Sequence, residues 1–140
     1  MPSRRANVPG SAGSRVGVAV QRFRVFTLEQ ANRVLPHVQN LTQDTRARLD
    51  ELRKNTKNPE DSSEFEQQTR GILDRWARLI QELGAQPKGI FTVDFRSPDP
   101  NVVWCWAPDE HEICHRHFTW ESFKDRIELE ADRDSWLSWN

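Results

Sequence analysis

Apolar residues recur at helical spacing from Leu28 to Leu83, and from Ile90 to Phe118 the pattern changes to the alternation of extended chain. Helices and strands segregated in this way along a chain pack as separate layers, so the expected class is α+β. Start and stop signals delimit the pieces. Thr27 and Gln30 make a capping box ahead of the first stripe, which runs through Leu28, Ala31, Leu35, Val38, Leu41, Leu49 and Leu52. Thr42 and Thr45 weaken the middle of that stripe. Pro36 predicts a kink or short break, because proline lacks the backbone donor and crowds the preceding turn. Asn58-Pro59-Glu60-Asp61 predicts the second start, with Asn58 as cap and Pro59 in the first helical position. The second stripe is Phe65, Thr69, Ile72, Trp76, Leu79, Ile80 and Leu83, and Gly84 ends it. A short polar loop between two such helices predicts a long antiparallel hairpin.

Three extended runs follow: Ile90 to Phe95, Val102 to Trp106 and Glu112 to Phe118, joined by turns at Arg96 to Asn101 and Ala107 to His111. They predict a small three-stranded antiparallel sheet packed on the hairpin. Phe91, Val93 and Phe95 alternate with Thr92 and Asp94, so the aromatic side of the first strand faces inward and its carboxylate faces away. Trp104 and Trp106 share a face with Phe118, as core or as a binding platform.

The 140 residues suit one domain. Residues 1–24 carry arginines and no acidic residue and are read as a disordered basic tail; 25–131 form the single domain and 132–140 a flexible tail. Twenty basic residues balance 21 acidic ones, and the charges of the first helix are interleaved in sign, so a nucleic-acid partner is not expected. No apolar run reaches the roughly 20 residues of a membrane span. Two cysteines are too few for a disulfide scaffold, which points to free thiols in a reducing, cytoplasmic setting. The narrow helical stripes make a homodimer, or docking on another protein, the expected way to cover exposed apolar surface.

Phe26-Thr-Leu-Glu-Gln-Ala-Asn-Arg-Val-Leu-Pro36 resembles the opening motif of a bacterial family known as domain of unknown function number 2203. Val93-Asp-Phe95, Cys105-Trp106, Glu110, Glu112-Ile113, His117, Phe123 and Arg126 match its second half in order and spacing. The resemblance covers Phe26 to Leu129 and implies a helical hairpin followed by a small β-region, with no activity attached. It places Asp94, Cys105, Trp106, Glu110, His117 and Arg126 at polar or aromatic hallmark positions. Asp109, Arg116, Ser122 and Asp125 depart from the family pattern.

The chemistry-bearing residues concentrate between Asp94 and Arg126. One pairing register of the second and third strands sets Cys105 opposite His115 with His117 beside Val103, putting a thiol and two imidazoles on one face. A register shifted by one pairs Cys105 with Cys114 and sends both histidines to the other side. In the first case Cys105, Glu110 and His117 form a candidate metal set of the zinc type, with Asp94, Trp106, His115 and Arg126 as further ligand-binding candidates. The function expected is a small accessory or interaction domain with a metal site. The alternative is a zinc-dependent or cysteine-dependent enzyme using Cys105 and His117, although no nucleophile elbow, Cys-x-x-Cys or phosphate-binding loop is present.

Overall fold

The computed structural model describes residues 23–129. The basic and C-terminal tail expectations for 1–22 and 132–140, including Trp136 and Trp139, lie outside the described residues. Helix α1 spans Leu28–Lys54 and starts as expected: the Thr27 hydroxyl accepts from the Gln30 amide at 3.1 Å, and the Gln30 side chain accepts from the Thr27 amide at 2.9 Å. Contrary to the expected break, α1 passes through Pro36 as one 27-residue helix. Pro36 is exposed, so water can reach the carbonyl it leaves without a partner. Buried Leu35 and Val38 on either side hold the helix against the core.

The second start differs from its sequence signal. Asn58 adopts a left-handed conformation with no side-chain capping bond, and Pro59–Asp61 forms a 3-10 turn. Helix α2 spans Ser63–Glu82, and Ser62 is its cap, its hydroxyl accepting from the Phe65 amide at 3.0 Å. Gly84 ends it in the left-handed region, at φ +93°. The two helices pack on one another, and the threonines that weaken the α1 stripe prove to be core residues. Thr42 is buried and accepts from the Trp76 indole N–H at 3.0 Å, so a hydroxyl at this position satisfies a donor that α2 buries. Thr45 returns its hydroxyl to the Leu41 carbonyl.

The sheet has five strands, not three: β1 (Gln86–Lys88), β2 (Thr92–Arg96), β3 (Val102–Trp106), β4 (His115–Phe118) and β5 (Ile127–Glu128), an antiparallel meander in chain order. The two added strands are short edge pieces. Polar β1 contains Pro87, which an edge tolerates, and β5 is exposed. Strand β2 begins at Thr92; Phe91 lies before it in a left-handed conformation, φ +71°, with its ring edge-on to Trp76 at 5.3 Å. Residues 112–114 stay irregular, so β4 is shorter than the extended pattern suggested.

Val93, Phe95, Val102, Trp104 and Trp106 line the helix side of the sheet and join Ala31, Leu35, Val38, Trp76 and Ile80 in one core. Both strand tryptophans are about 1% exposed, which settles them as core; at roughly 25 cal/mol per Å², each contributes on the order of 4 kcal/mol of burial. Their indole donors are satisfied by the carbonyls of Phe26 and Glu110. The other sheet face carries Thr92, Asp94, Val103, Cys105, His115 and His117, and the segment 119–126 crosses it.

Candidate functional site

Strand pairing decides which side chains meet on this second face. Cys105 pairs with His115 and Val103 with His117, the register that brings thiol and imidazoles to one side. On the opposite edge of β3, Asp94 pairs with Cys105. Three adjacent strands therefore deliver Asp94, Cys105 and His117 to one spot, where a carboxylate oxygen, a sulfur and a ring nitrogen all lie within 4.8 Å of one another. All three residues are buried, with 4%, 1% and 5% relative exposure.

The imidazole has a defined orientation. His117 Nδ1 lies 2.7 Å from the Phe118 carbonyl, which can only accept, so Nδ1 carries a proton. Nε2 is then the free end, 3.3 Å from each oxygen of Asp94. An imidazole held through Nδ1 by a backbone carbonyl and presenting Nε2 is the usual posture of a metal-binding histidine. Without a cation, the Nε2 to carboxylate contact needs one shared proton. Burial pushes the Asp94 carboxyl above its ordinary value of 3.8, an effect that outweighs the pull of His117, Cys105 and Lys88.

Cys105 is a protonated thiol at neutral pH. Burial first, then the negative charge of Asp94, pushes it up to about 12, with Arg126 opposing. Such a sulfur is a poor nucleophile on its own, which weakens the cysteine-dependent catalytic alternative. It becomes a strong ligand when a cation supplies the charge that removes its proton. The group opens on a cavity of about 310 Å³ whose walls include Lys88, Thr92, Thr119, Ser122 and Phe123. A wider groove of about 620 Å³ lies between α1 and the β3–β4 loop, lined by Gln39, Gln43, Arg46 and Pro108 among others, away from this group.

Glu110, included in the sequence-derived metal set, is placed elsewhere. Its Oε1 accepts from the Ala107 amide at 2.9 Å, and Oε2 lies 3.1 Å from His115 Nδ1 and 2.9 Å from the Arg126 guanidinium. Cys114 joins it: Glu110, Cys114 and His115 form a second half-buried three-donor group. Arg126 sits between the two groups, 4.0 Å from the Cys105 sulfur and stacked on the Phe123 ring at 4.1 Å. Trp106 points to the helix side, away from Cys105. Asp94 enters where sequence reasoning had put Glu110. The signal was its alternation with Val93 and Phe95, which placed it on the outer face but could not say which residue of β3 stood beside it. Cys114 gave no signal, because strand alternation alone separates it from His115.

No described helix is long and apolar enough to cross a membrane. No curated protein and no solved structure matches the chain. A family model does, over residues 24–129, which include both donor groups and the helical pair. By that match the chain belongs to the family described as "Uncharacterized conserved protein (DUF2203)".

Proposed function

We propose that this protein is a metal-binding accessory domain whose sheet holds a divalent ion of the zinc type through Asp94, Cys105 and His117. The observation that carries the reading is the convergence of three different donor atoms from three adjacent strands, with the histidine presenting Nε2. In a tetrahedral zinc site, bonds of about 2.0 to 2.3 Å put ligand atoms roughly 3.3 to 3.8 Å apart. The 3.3 Å between Nε2 and the Asp94 oxygens already meets that spacing. One sulfur, one nitrogen and one oxygen favour zinc or cobalt over magnesium or calcium, which take all-oxygen shells.

Three protein ligands leave a fourth position, and the adjoining cavity gives it room for water or a small ligand. The Cys105 thiol holds a proton that the metal replaces. Binding then releases the thiol proton, so affinity rises with pH. Lys88 at the cavity rim adds a positive charge suited to an anionic ligand.

Equilibrium dialysis of the full chain against buffered micromolar zinc, followed by metal analysis, tests the reading. Loss of one equivalent of bound zinc in both Cys105→Ser and His117→Gln, each shown to be folded by circular dichroism, supports it. Wild-type protein that remains folded and metal-free, or variants that keep the full complement, overturns it.

A further inference from the structure

We propose that Glu110, Cys114 and His115 form a second divalent transition-metal site, more accessible than the first and sharing no ligand with it. The donor spacing is close to that of a tetrahedral shell here as well. His115 Nδ1 is 3.1 Å from Glu110 Oε2 and 3.5 Å from the Cys114 sulfur, and all three atoms lie within 4.8 Å of one another.

The backbone arranges this convergence. Successive side chains of a regular strand point to opposite faces, so Cys114 and His115 would normally diverge. Cys114 lies just before β4, in irregular chain whose carbonyl accepts from the Leu129 amide at 2.8 Å, and its sulfur folds toward the neighbouring ring. Glu110 is positioned from behind. The Ala107 amide holds Oε1, leaving Oε2 to face His115, and Gln39 of α1 donates to the carbonyls of Glu110 and His111 to hold the loop.

The charge balance also favours a cation. Three carboxylates, Glu110, Glu112 and Glu128, act on Cys114, opposed by the single guanidinium of Arg126. An ion pair between Glu110 and Arg126 would need neither a sulfur nor an imidazole beside it; a metal would use both. The His115 and Glu110 side chains keep 16% and 14% exposure, so an ion can enter from solvent without opening the sheet. The site therefore suits an exchangeable metal, with Arg126 moving aside as the ion takes over its charge.

Each group contains one thiol, which makes cobalt(II) a probe that separates them, because a cobalt-thiolate bond gives a near-ultraviolet charge-transfer band. Titrating metal-free full chain should saturate the band at two equivalents. Cys105→Ser should retain one equivalent, Cys114→Ser should retain one, and the double variant should lose the band. A folded Cys105→Ser protein with no thiolate band, or a wild-type band of one equivalent that survives in Cys114→Ser, overturns the second site. A single equivalent lost in Cys114→Ser and kept in Cys105→Ser supports this site while overturning the buried one.

Discussion

Replacing Cys105 by serine should change how the metal-free protein responds to alkali, by an amount that follows from the surroundings of the sulfur. The folded chain holds the thiol proton up to about pH 12, against an ordinary value of 9.0. The raised value means that the folded state retains the proton while the unfolded state releases it. The thiol's contribution to stability is thus full below pH 9 and is lost as pH rises toward 12. Three pH units correspond to about 4 kcal/mol at the upper limit, and about 2 kcal/mol is already lost by pH 10.5. The chain has no tyrosine, so phenol ionisation does not overlap this window. Urea unfolding of wild type and Cys105→Ser, in chelator at pH 8, 9.5 and 10.5, isolates the effect because every other group cancels in the difference. Wild type should lose about 2 kcal/mol relative to the variant across that series. A difference that stays constant with pH would mean the sulfur does not sit in a dry, negatively charged pocket, and would remove the basis for its being a reserve ligand.

Thr42→Val keeps the shape but leaves the Trp76 indole N–H without its acceptor, so urea unfolding should show a loss of about 1 to 3 kcal/mol. Thr27→Ala removes the cap of α1 and should cost about 1 kcal/mol by the same measurement, with a small loss of helical circular dichroism. Asp94→Asn should flatten the acid end of the stability curve in chelator. The raised Asp94 carboxyl contributes fully below pH 3.8 and loses that contribution as pH rises through its folded value, a slope that an amide cannot produce.

What the sequence made legible was whatever local chemistry decides. The Thr27 capping box, the two stripes, Gly84 and the inward strand aromatics all follow from periodicity and caps. Pro36 misled because its effect depends on which way it faces, and solvent exposure makes it tolerable within a helix that Leu35 and Val38 anchor. Asn58-Pro59 carried a helix-start signature, yet Ser62 made the better cap one turn later. Strands β1 and β5 were invisible because two or three edge residues have no period to read. The Cys105 register stayed open between two alternatives because the β3–β4 connection is an irregular loop. Its shape depends on long-range contacts with α1, where Gln39 donates to the Glu110 and His111 carbonyls and Asn32 accepts from the Ile113 amide. The same loop explains why Glu110 is not beside Cys105: it lies against His115, and Asp94 from the neighbouring strand pairs with Cys105 instead.

The buried group is tested most directly by X-ray absorption at the zinc edge on zinc-loaded Cys114→Ser protein, in which Cys105 is the sole sulfur donor from either group. A shell of one sulfur near 2.3 Å with nitrogen and oxygen neighbours near 2.0 Å, imidazole scattering included, is the predicted spectrum. A spectrum with nitrogen and oxygen alone would place the metal away from Cys105 and contradict the account.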